Sequence, residues 1–536
     1  MSEGILEKDR GGTRELDFIE RDASGEVISC EAAGDFILAD YQPEIRKILE
    51  IRTAVIPSGK YVGSNRAEFA GTVRYTVLYT DGEGKLSSAD LSSDYSFACP
   101  LPDAGEYTAV ADTMAMGTTH RLGGPRKISL RTRLHSLVHL FCRECITPEI
   151  RGMGGPADLS SLEKLTEAEE SMTVSCGTTG EFPLQATVRL DSPATDAHAV
   201  WAGGNLLITE CRPQEGGCLC RGEVWARCLY VEGEGLPVTV RERIPFEQFV
   251  PIEGASEASS CTAFGRLLSA EVSVAAGEGE ENGSMHFDVA AEIEACATGK
   301  QPCNPVRDLY STAYAMNCRY RQVSIAHPLG SAMGHYTVSA SRPKSECEAE
   351  HATAIIDADG HPEISCVRVE HGRATVCGKL TATVIFACAG EDGGSRLLST
   401  QIESPFRLES ELRIPSGEEP RFDCHGELVG VRARIEPNAI AVDAEIAVAL
   451  RATEMKSMRI LESAEPDKSE EVAHEGNRIF VVYPKEGQTL FSLAAQYHRS
   501  RAAIAAENEL AEDAVQISHL THSLDGVHHL LITDEA

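Results

Sequence analysis

Cysteine and histidine are the residues here whose spacing bears on chemistry. Cys142-x-x-Cys145 has the spacing of half a zinc site, but such a site needs four ligands, and no second CxxC or HxxxH stands at a matching distance. Cys218-x-Cys220 lies in an alternating run, which puts both thiols on one strand face, where they pack as small hydrophobes. His519, His522, His528 and His529 form the densest histidine group, yet no carboxylate or cysteine completes a ligand set at obvious spacing, so they read as loop histidines. No metal and no cofactor are expected. GxSxG, HExxH and the phosphate loop GxxxxGK with a following Ser or Thr do not occur in the sequence. No catalytic residue is expected, and the chain reads as a non-enzyme. A hidden catalytic centre would show as a deep cleft lined by convergent histidine, cysteine and acidic side chains.

The elements that must hold these residues are constrained by size and charge. At 536 residues the chain is long enough for three or four domains. Lys and Arg total 49 against 82 Asp and Glu, a net charge of −33, which repels nucleic acid phosphates and anionic lipid and steers basic partners toward the surface. The N-terminus lacks a basic region followed by an apolar run, and no stretch approaches 18 uninterrupted apolar residues. A cytosolic protein without a transmembrane segment is the expectation, with its 18 cysteines reduced and no disulfides.

Up to residue 455 one pattern recurs. The stretch from Gly71, GTVRYTVLYTDGEG, aligns with GEVWARCLYVEGEG from Gly222, and more weakly with GKLTATVIFACAG from Gly378. The spacings are 222 − 71 = 151 and 378 − 222 = 156, so the repeats are domain-sized. Val73, Tyr75 and Val77 alternate with Thr72, Arg74 and Thr76, as a strand with one buried face requires. Glycine-rich turns at 81–84 and 233–235 allow a second strand to return, ending at Phe97, Phe246 and Phe406. Each copy closes on another alternating run: Ile128, Leu130 and Leu134; Phe287, Val289 and Ile293; Ile440, Val442, Ile446 and Val448. The fold class is mainly β, with three tandem sandwich-like repeats. The first copy opens with Pro43 placed to begin a short helix that would bury Ile45, Ile48 and Leu49. Residues 154–171, with a helical stretch near 162–170, and 298–307 read as linkers, and the Glu- and Lys-rich residues 456–477 as a flexible tether.

The last segment reads as strand, helix, helix, strand. Leu490, Leu493, Ala494 and Tyr497 share a helix face, Ser500 can cap a second helix that buries Ile504, and Leu530 to Ile532 offer a closing strand. On Tyr483, Gly487, Thr489, Leu490, Leu493, Ala494, Tyr497, Ile504 and Asn508 this segment resembles the LysM module, a small βααβ fold. Gln488 replaces the usual Asp of its turn. The resemblance implies a binding groove at Gly487, Gln488 and Thr489 with Asn508 and Leu510, for glycan or for protein.

The opener of the first copy, with the strand pair and Phe that follow it, resembles the SPOCS repeat; the second copy keeps a partial opener at Leu190–Pro193 and the third none that is clear. Repeats of that kind before a terminal LysM module resemble the SipL and SpoVID type of spore envelope morphogenetic protein. The division is then 1–35 N-terminal segment, 36–153, 172–297 and a divergent 308–455 as SPOCS-like repeats, 456–477 tether and 478–532 LysM module. The resemblance implies a scaffold for spore coat assembly in the mother cell cytoplasm at the forespore surface. Its LysM module would dock on a SpoIVA-type coat ATPase, and its repeats would bind other coat proteins or one another through sheet edges. The alternative is a protein that binds peptidoglycan, or its precursor, through LysM, or a cell-wall-remodelling hydrolase held on the wall by it.

Overall fold

The computed structural model describes all residues except 1–5, 10–11, 16, 23–25, 104, 154, 278–280, 391–393, 416, 418, 473–475, 477, 486, 511–527 and 534–536. It is mainly β, with 74% strand and 5% helix. A ribbon of β1 (Leu6–Asp9) and β2 (Gly12–Glu15) comes first. The first repeat comprises β3 (Phe18–Asp22), β4 (Glu26–Ile37), β5 (Lys47–Val62), β6 (Arg66–Thr80), β7 (Leu86–Pro100), β8 (Tyr107–Gly124) and β9 (Lys127–Cys145). After β10 (Glu149–Ile150), α1 (Pro156–Ser160) and β11 (Leu162–Thr166), the second comprises β12 (Glu169–Thr178), β13 (Phe182–Arg189), β14 (Ala197–Gln214), β15 (Gly217–Glu232), β16 (Val238–Pro251), β17 (Ser260–Ala275) and β18 (Ser284–Cys303). After β19 (Val306–Ser311), the third comprises β20 (Tyr314–Pro343), β21 (Ala352–Glu370), β22 (Arg373–Ala389), β23 (Ser395–Arg413), β24 (Arg421–Ile435) and β25 (Ala439–Glu471). The last segment holds β26 (Ile479–Val482), α2 (Leu490–Tyr497), α3 (Arg501–Glu507) and β27 (Leu530–Thr533).

Each repeat is two facing antiparallel sheets. One is a three-stranded meander: β5-β6-β7, β14-β15-β16 and β21-β22-β23. The other centres on β9, β18 or β25, flanked by β8, β17 or β24 on one side. On the other side stand β3 and β4, β12 and β13, or in the third repeat the single long β20. The alternating residues do what period two demands: Val73, Tyr75, Val77 and Tyr79 of β6 pack on Ile128, Leu130 and Leu134 of β9 in one buried cluster. Val224, Ala226 and Cys228 share a core with Phe287, Val289 and Ile293, and Leu380, Val384 and Phe386 with Ile440, Val442 and Ile446.

The glycines that align the copies have one job. Gly71, Gly222 and Gly378 pair directly across the sheet with Tyr95, Phe246 and Phe406, whose rings lie over them. A Cβ there would collide with that ring and with the carbonyl of Ile56, Leu207 or Glu363. The aromatic counterpart in the first repeat is therefore Tyr95; Phe97 instead pairs with Phe69 and stacks on it at 5.1 Å.

Four expectations are corrected. Residues 38–46 form no helix, because Leu38 and Ile45 donate their backbone N–H groups to the carbonyls of Arg126 and Pro125 and Lys47 already enters the sheet. The stretch 162–170 is not helical: Leu162–Thr166 pairs with Val306–Ser311 and Glu169–Ser171 with Gln301–Cys303, so the two expected linkers are strands that pair with each other. The tether is strand as far as Glu471, since Met458, Ile460, Leu461 and Ala464 are buried and β25 pairs with β20 along its length and with β10. A disulfide joins Cys176 and Cys296, which β12 and β18 place directly opposite one another; compartment arguments from composition do not see strand register.

Candidate functional site

The three repeats meet around a common axis, and the first meander strand of each makes the junction. β5, β14 and β21 each carry a bulge at the corresponding place, with Leu49, Val200 and Ile356 as the extra residues. Their spacings, 200 − 49 = 151 and 356 − 200 = 156, are those of the sequence repeat. A bulge re-aims the side chains beside it. Here Leu49, Val200 and Ile356 join Leu78, Leu229 and Ile385, their counterparts on the neighbouring strands, in one apolar cluster shared by all three repeats.

Charges lie next to this cluster. Glu50, Trp201 and Asp357 follow the bulges at equivalent positions. Arg52 reaches Glu50 and the fully buried Asp357, each at 2.7 Å, and its guanidinium lies 3.9 Å from the Trp201 ring centroid. Arg227 pairs with Asp359 at 3.0 Å and Arg241 with Asp357 at 3.3 Å. Each pair of repeats is thus joined, and three cations face three carboxylates. Burial opposes the charge on Asp357, but Arg52, Arg227 and Arg241 outweigh it and keep its carboxyl below the ordinary value. Burial dominates at Glu50 and pushes its carboxyl up to about 7 against the pull of Arg52.

A cleft of about 850 Å³ opens along the axis, lined by all three repeats. It holds Asp112 and His139 of the first repeat, Phe264, Arg266 and Glu294 of the second, and His361, Asp423, His425 and Arg451 of the third. Histidine, cysteine and acidic side chains do converge there, Cys424 included. They are largely engaged with each other. His425 Nδ1 lies 2.6 Å from Asp112 Oδ2, its Nε2 3.3 Å from Glu427, and its ring stacks on Phe264 at 4.5 Å. Arg451 donates twice to Asp423. Burial works against a charged His425, yet Asp112 and Glu427 raise it well above the usual imidazole value. Burial leaves His139 below that value.

The terminal segment has the strand, helix, helix, strand order expected, with β26 antiparallel to β27. Gly487 takes a φ of +80°, Gln488 accepts a hydrogen bond from the Lys485 N–H at 2.8 Å, and Thr489 caps α2 in a reciprocal pair with Ser492. Ser500 stands at the N-cap of α3 without a side-chain cap bond. The Asn508 amide is bonded to both backbone groups of Leu531, and Leu510 packs at the margin of the small core. The hydrogen bonds of 487–489 thus stay in the turn and α2, while those of Asn508 close the fold against β27. This segment does not hang free: Leu165 and Tyr310 of the β11–β19 ribbon belong to its core. Tyr310 donates to the Arg499 carbonyl at 2.9 Å, His498 bonds the Ser311 carbonyl, and Arg501 pairs with Glu163 at 3.0 Å.

Cys142 and Cys145 are three apart on β9, so their side chains leave opposite faces, and among the described residues neither belongs to a group of three or more ligands. His519 and His522 lie outside the described residues. Cys218 and Cys220 do share a face, and β14 brings Cys211 to them: its Sγ is 3.0 Å from that of Cys218 and 3.8 Å from that of Cys220. The missed signal was the turn at 214–217, which folds Cys211 back opposite Cys220.

Residues 198–275, from β14 through β17, match the family model described as SipL, SPOCS domain. No curated protein and no solved structure matches the chain. Among the described residues no helix is long and apolar enough to cross a membrane. Over those residues the second repeat of this chain is thus similar to the SPOCS domain of SipL.

Proposed function

We propose that this protein is a non-enzymatic scaffold for spore envelope assembly, working in the mother cell at the forespore surface. The observation that carries the reading is the SPOCS match on the second repeat, whose bulges, glycine and covering aromatic recur in the first and third. A three-lobed body suits this role, because each meander ends in an edge strand, β7, β16 or β23, that pairs with no further strand among the described residues and can offer docking where it is not packed on the next lobe. Leu236, Val238 and Phe249 in and beside β16 are exposed. The terminal LysM-like segment supplies the contact to a SpoIVA-type coat basement protein, and the net charge of −33 favours partners with basic faces. The test is affinity capture of the full chain from sporulating cells, set against retention on purified peptidoglycan. Recovery of coat proteins supports the scaffold; retention on glycan with no protein partner overturns it in favour of wall binding.

The axial cleft favours a second reading, a small-molecule site among the repeats. Its volume is in the range of ligand pockets. Saturation of the cleft by a metabolite, with loss of binding in Arg266→Ala and Glu294→Gln, would establish that use.

A further inference from the structure

We propose that Cys211, Cys218, Cys220 and Cys261 form a tetrathiolate site for one zinc ion in the second repeat. Cys211 lies near the end of β14, Cys218 and Cys220 near the start of β15 across the turn, and Cys261 comes from β17 in the facing sheet. The site would pin the two sheets together at the end of the sandwich. The Sγ atoms of Cys211, Cys218 and Cys220 all lie within 4.8 Å of one another. Cys261 interacts with the thiols of Cys211 and Cys218. Four sulfurs held at about 2.3 Å from a tetrahedral ion stand roughly 3.8 Å apart, so the spacing found needs only side-chain adjustment. Cys218 and Cys220 are fully buried, and Cys211 and Cys261 half-buried.

The other two repeats show what this place ordinarily holds. Counting from the shared bulges, Lys60, Ala67, Phe69 and Ala109 occupy the four positions in the first repeat, and Val367, Ala374, Val376 and Phe422 in the third. Each has one aromatic ring to fill the end of the core. In the first, the Lys60 ammonium also bonds the Ala109 carbonyl at 3.1 Å, which puts a cation beside that core. At these four positions the second repeat has neither ring nor ammonium, and all four are cysteine. Four thiols are together smaller than the side chains at either counterpart set, and a bound ion would add bulk and cross-links in the place of the ring. Cysteine is 18 of 536 residues, so four at four matched positions is not an effect of composition.

The test uses the full chain, purified anaerobically under reducing conditions without a metal-affinity step. One zinc ion per chain is expected by elemental analysis. Exchange with cobalt is expected to give the visible absorption of a tetrahedral thiolate complex. Cys261→Ser and the double variant Cys218→Ser, Cys220→Ser should lose the ion or that spectrum. Cys366→Ser with Cys377→Ser, a cross-strand pair elsewhere, should keep both. Three results would each overturn the site: a folded, reduced wild-type chain that takes up neither zinc nor cobalt; a Cys211–Cys218 disulfide in anaerobically handled protein; or full zinc content in the Cys218, Cys220 double variant. The wild-type measurement decides even if a variant fails to fold.

Discussion

Asp112 and His425 are 313 residues apart in sequence and 2.6 Å apart in space, and Phe264 stacks on the same imidazole. One residue from each repeat therefore meets at a single ring. Removing one partner of such a pair strands the other as a partly buried charge. His425→Ala should destabilise the chain by about 3 kcal/mol. Thermal unfolding of His425→Ala, Asp112→Ala and the double variant checks this; the double variant should lose less than the sum of the two singles.

The same network fixes a pH dependence. His425 holds its proton more tightly folded than unfolded, so its contribution is complete below the ordinary 6.5 and is lost as pH rises through the raised folded value. Burial lifts Glu20 from 4.5 to about 7, so the folded state again favours the protonated form and stability falls as pH climbs from 4.5 through about 7. Asp112 and Asp357 are depressed and act oppositely, losing their contribution only as pH falls through their folded values. Unfolding midpoints should therefore peak in mildly acidic buffer and decline toward pH 8, with a shallower decline in Glu20→Gln.

At the axis, Asp357→Ala would leave Arg52 and Arg227 buried without their shared acceptor. A loss of about 3–5 kcal/mol is expected. An isosteric Asp357→Asn should fall between wild type and Ala if charge as well as shape matters. Chemical denaturation of the three proteins gives the comparison.

Gly222→Ala tests the glycine and aromatic pairing. The added methyl would meet the Phe246 ring and the Leu207 carbonyl, for a cost of about 1–3 kcal/mol. Pairing the change with Phe246→Ala relieves only the ring half of the clash. Gly82→Ala, at a turn position with open space around it, should cost far less in the same denaturation assay.

Contact between the terminal segment and the ribbon predicts a local effect. Tyr310→Ala removes the bond to Arg499 and the edge contact with Phe491 at 5.1 Å. Amide exchange in α2, α3 and β11 should rise together, while β6 and β22 remain protected.

What was legible in the sequence is what local pattern dictates. The alternation of Val73, Tyr75 and Val77 and the spacings of 151 and 156 gave sheets and repeats, and the face of Leu490, Leu493 and Ala494 gave a helix. What was not legible depends on partners far along the chain. Leu162–Thr166 is strand because Val306–Ser311 lies beside it, and its acidic, leucine-containing sequence fits a helix equally well. Tyr95 rather than Phe97 covers Gly71 because register, not proximity in sequence, chooses the facing side chain. Cys211 was passed over because no short motif joins it to Cys218. Residues 487–489 and 508 flank α2 and α3, and the bonds they make serve the fold itself.

β25 runs 33 residues from the core of the third lobe to the foot of the terminal segment, hydrogen-bonded to β20 almost throughout. A pull on that segment along the strand would load the whole ladder in shear, where many bonds must break at once, rather than peel it one rung at a time. A body built this way bears tension between whatever grips its tail and whatever grips its lobes.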